Sequence, residues 1–157
     1  MERYKPNVTV ACVVHCDGKF LMVEEIIDGK SVFNQPAGHL EANESLIDAC
    51  KRELYEETGI EASPSKLIGV YQFSASSTLA FLRFTFLVEL ESQCQSSPKD
   101  SAIHALHWLS LDDIDSGSRS LRSPLVSRCI HDCLAGKGCT LELLDSTLLS
   151  IAAKGNP

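Results

Sequence analysis

The sequence predicts an α/β fold, a mixed β-sheet flanked by helices. Short β-branched and apolar runs separated by turn residues fill the first two-thirds of the chain, and a single long helical pattern interrupts them. With 157 residues, 44% of them hydrophobic, the chain is long enough to bury one core, so a single domain over residues 1–157 is expected.

Each element has its own signal. Val8 to Val14 is rich in β-branched residues and reads as a strand. His15-Cys16-Asp17-Gly18 supplies turn chemistry, and Lys19 to Val23 returns as a second strand, a hairpin pattern. Glu24 to Lys30 reads as a polar loop with another Asp-Gly pair. Val32 to Asn34 is a short strand, after which Pro36 and Gly38 break the chain. Asn43 to Thr58 is the long helix. Asn43 can cap it, Ser45 with Asp48 offers a second cap, and Gly59 is placed to stop it in the left-handed region. Strands follow over Leu67 to Phe73, Thr78 to Glu91 and Ala105 to Leu109, with a polar loop from Gln93 to Ser101. A short helix begins at Leu111, and another runs from Pro124 to Leu134. The pattern after about residue 136 assigns no definite element.

Bulk properties exclude several classes. No apolar stretch is long enough to span a membrane, and the N-terminal segment has no apolar signal core, so a cytoplasmic protein is expected. A net charge of −7 argues against a nucleic-acid polymer as partner but leaves small phosphorylated ligands open, since a cation can supply local positive charge. Seven cysteines, an odd count, make a disulfide framework unlikely in that compartment. Cys129, Cys133 and Cys139 match no zinc spacing and read as helix or core residues. No long apolar stripe is left unassigned, which points to a monomer.

The long helix carries the chemistry. A stripe advancing by threes and fours runs through Leu46, Ala49, Cys50, Glu53, Leu54 and Glu57. Its first half is apolar and suits a core. Its second half bears Glu53 and Glu57, with Glu56 beside them. Like charges at this spacing repel, and glutamate is almost never fully buried unpaired. Hard divalent cations, Mg²⁺ or Mn²⁺, are the simplest compensation, because they take oxygen ligands. Arg52 can pair with one carboxylate and orient it. The alternative is a solvated acidic face.

The wider spacing favours the metal. Gly38, five residues, Glu44, seven residues, then Arg52-Glu53-Leu54-Tyr55-Glu56-Glu57-Thr58-Gly59-Ile60 resembles the Nudix box at every defined position. Lys5 to Ala11, Asn34 to Glu41, Leu82-Arg83-Phe84 and Leu121 to Val126 resemble the NudJ-type branch of bacterial phosphatases in that family. The resemblance implies an α/β/α sandwich whose box, residues 38–60, forms a loop–helix–loop metal site. It implies that Glu53, Glu56 and Glu57 ligate Mg²⁺ with the Gly38 carbonyl, that Arg52 orients Glu53, and that Glu44 holds the loop against the helix. It further implies that a box glutamate, foremost Glu53, deprotonates the attacking water. Some members use an acid outside the box, for which Asp100 is the candidate.

The branch likeness implies hydrolysis of nucleoside tri- and diphosphates to monophosphates with release of orthophosphate, and action on hydroxymethylpyrimidine diphosphate. On the substrate side, Arg83 reaches a phosphate or base, or else faces solvent from its strand. Arg122 clamps a phosphate or is a solvated loop charge. Phe33 stacks on a base or packs in the core, and Gln35 reads a polar edge or satisfies backbone groups. Phe33 also departs from the branch, where tryptophan is common. Competing readings are a Nudix pyrophosphohydrolase on other nucleotides, a silent ligand sensor, which would lack box carboxylates, and an isomerase, which would need a reactive cysteine.

Overall fold

Asp17 and Gly18, at φ 49° and 73°, form the tight turn between β1 (Asn7–Cys16) and β2 (Lys19–Ile27). Asp-Gly suits this turn because both central residues must be left-handed. The same pair recurs at Asp28-Gly29, with φ 50° and 74°, and joins β2 to β3 (Lys30–Asn34). The structure, a computed structural model, describes residues 3–150.

The polar loop expected over Glu24 to Lys30 is instead a hairpin: β2 runs on through Glu25, opposite Val32, and Ile27 pairs with Lys30. Its polar side chains are satisfied across the strands, and this masks the strand in the sequence. Glu24 accepts from the Ser31 hydroxyl at 2.5 Å and lies 2.7 Å from His107 Nε2.

Beyond Pro36 a three-residue strand, β4 (Ala37–His39), pairs antiparallel with β1 and sets Gly38 opposite Val10. The proline lacks an N–H, but its carbonyl accepts from Cys12 N at 2.9 Å, so the break is docked on the sheet. The helix α1 (Leu46–Thr58) follows, then β5 (Lys66–Ser74) and β6 (Ala80–Glu89). Strand β6 runs parallel to β1, with Arg83 beside Thr9. Strand β7 (Ile103–Ser110) pairs with β2. The main path of the mixed sheet is β3-β2-β1-β6-β5, with β4 on β1 and β7 on β2.

Two helices complete the described chain. The short α2 (Leu111–Asp115) carries a capping box between Ser110 and Asp113. The longer α3 (Pro124–Leu134) has Ser123 as N-cap and proline in its first turn. Residues after Thr140 form 3₁₀ turns over Leu141–Leu143 and Thr147–Ser150. The ends of the expected domain, residues 1–2 and 151–157, lie outside the described residues.

Alternation along the strands divides the core into two layers. Val10, Cys12 and Val14 of β1 join Phe86 and Val88 of β6 against Ala49, Cys50 and Leu54 of α1. Val13, Phe20, Met22 and Ile68 point the other way, onto Val126, Cys129 and Ile130 of α3. The result is helix, sheet, helix, the α/β/α sandwich. Among the described residues no helix is long and apolar enough to cross a membrane.

Candidate active site

The box helix is fixed at both ends by its own sequence. Ser45 is the N-cap: its hydroxyl accepts from Asp48 N at 3.0 Å. Asn43, the other candidate, sits just upstream at φ 65°, where it bends the loop and cannot cap. Gly59 stops the helix at φ 75°, its N–H donating to Tyr55 O at 2.7 Å. A Cβ at Gly59 would also run into the backbone carbonyl of Ser97, so only glycine serves there. Between these ends Ala49, Cys50 and Leu54 are buried without exposure and lock the helix to the sheet. The same face then presents Glu53, 8% exposed, and the half-buried Glu57, while Glu56 is exposed.

Arg52 gathers the acidic groups around one guanidinium. Its Nε and Nη2 grip the two oxygens of Glu44 at 3.0 and 2.7 Å. Nη1 donates to Glu53 Oε1 at 2.6 Å and to Glu56 Oε2 at 3.2 Å, and Nη2 also reaches His39 O at 3.0 Å. Glu44 in turn accepts from Glu41 N at 2.7 Å, so one bidentate pair closes the loop onto the helix. This pairing holds the Glu44 carboxyl below the usual range and raises Arg52.

The other two carboxylates are under opposite pressure. Burial pushes Glu53 up, and Arg52 opposes that by hydrogen bonding. Burial pushes Glu57 up to about 8, against a stabilising bond from Ala37 N at 2.9 Å. The charges of Glu53, Glu25 and Asp100 raise it further. The Glu53 carboxylate lies directly over Gly38, where a Cβ would overlap it.

These residues fit a hard divalent cation. Every donor is oxygen, the glycine lets the Glu53 carboxylate lie against its backbone, and the two inward-facing carboxylates lack enough countercharge. The carboxylates do not converge on one point: among the described residues no three His, Cys, Asp or Glu side chains form a preassembled cluster. Arg52 holds Glu53 and Glu56 on its own side, while Glu57 leans on Ala37.

Glu57 and Gly38 open onto a cleft of about 350 Å³ that extends from α1 to Leu125 at the start of α3. Arg83 lines it and is 7% exposed; the solvent-facing alternative for this residue is excluded. Gln35 lies behind Arg83, 1% exposed, with its Oε1 accepting from Arg83 Nη2 at 2.7 Å and its Nε2 donating to Val126 O at 2.7 Å. Arg122 lines the cleft as an exposed residue next to the α3 N-cap. Phe33 is in the core under α3, with Arg119 Cζ 5.8 Å from its ring centroid and His107 at its edge. The aromatic rings on the cleft wall are instead Phe73 and Phe81, stacked at 6.5 Å. Asp100 is exposed beside the helix end. Its N–H donates to Glu56 O at 2.8 Å, and its Oδ1 accepts from Ala102 N at 2.8 Å.

Sequence reasoning missed Glu25 and Asn34 on the cleft wall. Glu25 was hidden by its reading as loop. Asn34 stood in the motif but without a partner to give it a role.

The model of the NUDIX domain matches residues 3–129. The chain belongs to the Nudix family. It is 51% identical over 141 residues to Phosphatase NudJ of Escherichia coli strain K12, covering 90% of this chain and 92% of that one. A solved NUDIX hydrolase from Nitrosomonas europaea is 45% identical and superposes with a TM-score of 0.81 over 90% of this chain and 97% of that one. The fold alone is shared with a bifunctional NMN adenylyltransferase/ADP ribose pyrophosphatase of Francisella tularensis, solved with AMP and a manganese ion. That match has 24% identity and a TM-score of 0.68, over 84% of this chain and 42% of that one. The protein is therefore an enzyme, a Nudix hydrolase acting on phosphoric anhydride bonds. Nudix hydrolases generally use divalent metals.

Proposed function

We propose that this Nudix hydrolase is a Mg²⁺-dependent phosphatase of small diphosphate compounds. It converts nucleoside tri- and diphosphates to monophosphates with release of orthophosphate, and hydroxymethylpyrimidine diphosphate to its monophosphate. Mn²⁺ can substitute. The observation that carries this reading is the cleft that joins the box residues Gly38 and Glu57 to Arg83 and Arg122. The identity to Phosphatase NudJ over most of both chains supports the orthophosphate-releasing branch. We read the enzyme as a single domain over residues 1–157, monomeric, cytoplasmic and without a nucleic-acid polymer as partner.

Glu53, Glu56, Glu57 and the Gly38 carbonyl are the residues to hold the metal. A bound divalent cation neutralises phosphate charge and lowers the pKa of water. Arg52 fixes Glu53 and Glu56 in place, and Glu44 fixes Arg52. Glu53 removes the proton from the attacking water. Asp100 is the second candidate for that step; it is exposed beside the helix end, with one oxygen bonded to Ala102 N. Arg83 and Arg122 bind substrate phosphate. Gln35 and Phe33 serve the substrate side from behind, Gln35 by orienting Arg83 and Phe33 by supporting the strand that carries Asn34.

The test is product analysis. Purified enzyme with Mg²⁺ is given nucleoside tri- and diphosphates and hydroxymethylpyrimidine diphosphate, and orthophosphate and pyrophosphate are measured separately. Orthophosphate from all three, abolished by chelator, is expected. Pyrophosphate as the sole product from triphosphates would move the enzyme to another substrate branch.

A further inference from the structure

We propose that the Arg83 end of the cleft is an anion receptor for a phosphate dianion that functions without metal, so that the enzyme selects substrates ending in a free terminal phosphate. The inference rests on the phosphatase reading for its substrate consequence, but the receptor itself can be tested separately.

Arg83 is a buried cation without a carboxylate. Among the described residues no Asp or Glu forms an ion pair with it. Its Nη2 meets only neutral amide oxygens, Gln35 at 2.7 Å and Asn34 at 3.5 Å. Its Nε is buried with no partner. Guanidinium does not neutralise by losing its proton, so burial of this charge is costly until an anion arrives. Gln35 is held from its far end by Val126 O, which presents its oxygen, not its NH₂, to Arg83. The arginine is thus oriented in advance and has no carboxylate in direct contact; Glu57, on the same cleft wall, acts on it only through space.

Two further features converge on the same cleft. Arg122 lies on its wall, and Ser123 beside it caps the eleven-residue helix α3. The positive end of that helix therefore adds to the two guanidinium groups. Two cations and a helix end call for about two negative charges on one group, which a terminal phosphate supplies. An internal phosphate diester, as in a dinucleoside polyphosphate or a nucleotide sugar, brings one charge per phosphorus.

The experiment uses metal-stripped wild-type protein titrated by calorimetry with inorganic phosphate and, in parallel, with dimethyl phosphate at equal ionic strength. Phosphate is expected to bind and dimethyl phosphate to bind at least about tenfold more weakly, the difference expected for one charge-assisted hydrogen bond. Arg122→Ala, on an exposed residue, weakens phosphate about tenfold for the same reason. Arg83→Gln abolishes it; should that variant not fold, the wild-type contrast and Arg122→Ala still decide. No phosphate binding without metal, or equal binding of the two anions, overturns the proposal. Glu57→Gln separates it from the phosphatase reading: that variant should lose turnover yet bind phosphate at least as tightly as the wild type, since it removes only a negative group from the cleft wall.

Discussion

The Glu53 carboxylate occupies the volume that a side chain at position 38 would need. Gly38→Ala must therefore displace Glu53, Gly38 or both. The expected cost is ~1–3 kcal/mol of stability from local overpacking. The expected loss of turnover is larger, about a hundredfold, because a misplaced ligand forfeits electrostatic stabilisation of the transition state. Circular dichroism and kcat separate the two effects. A folded variant with wild-type kcat would show that Gly38 is there for packing alone.

Glu57→Gln should leave a folded protein with activity down about a hundredfold or more, since one oxygen ligand and one negative charge are removed. Near-normal turnover in a folded variant would remove Glu57 from the metal site.

The same residue sets a pH dependence. Burial raises Glu57 from 4.5 to about 8, so in metal-free protein the folded state prefers the protonated acid. Its contribution to stability is full below about 4.5 and is lost as pH rises through about 8. Thermal melts in chelator should fall across that window, and Glu57→Gln should flatten the fall. Mg²⁺ should restore stability at the alkaline end and release a proton on binding, so that affinity rises with pH. A wild-type melting profile flat across the window would contradict the buried-carboxyl account.

Arg52→Lys tests the guanidinium fork. Lysine keeps the charge but cannot reproduce the paired bonds to Glu44 or hold Glu53 and Glu56 as well. Loss of ~1–3 kcal/mol is expected from charged hydrogen bonds broken in a half-buried site. Turnover should fall and stay low at saturating Mg²⁺. Full recovery at high Mg²⁺ would mean that Arg52 tunes metal affinity only.

Thr58 offers the opposite contrast. It is fully buried, its hydroxyl donating to Leu54 O at 2.5 Å and accepting from Ile60 N at 3.1 Å. Thr58→Val keeps the shape and strands the Ile60 amide, which should cost ~1–3 kcal/mol. Denaturant melts should show that loss with kcat unchanged. A large fall in kcat would place this position nearer the chemistry than its bonds suggest.

How much of this was legible in the chain depends on how local each cause is. The bounds of α3 could be read because Ser123 and Pro124 mark its start within two residues. The end of α1 was equally plain from Gly59, but its start was ambiguous: Asn43 and Ser45 are both good caps, and only the left-handed backbone at Asn43 decides between them. Strand β4 could not be read at all, since Pro36 and Gly38 look like breakers and its pairing partner β1 lies far back in the chain. The acidic face of the box helix was visible from spacing alone. The setting of Gln35 was not, because its two partners, Arg83 and Val126, are 48 and 91 residues away. Arg83 itself showed a charge in an apolar strand, and only the packing of α3 over that face determined that it is buried.

The loop between β6 and β7 behaves as two pieces. Residues 91–95 are exposed, and no backbone hydrogen bond ties them to the rest of the described chain. Farther on, Ser97 lies against Gly59, and the amides of Lys99 and Asp100 both donate to Glu56 O at 2.8 Å. Inserted sequence, such as an epitope or a reporter, should therefore be accommodated between Gln93 and Gln95. The same insertion a few residues later would prise a clasp off the box helix, so tolerance to added length changes abruptly within a single loop.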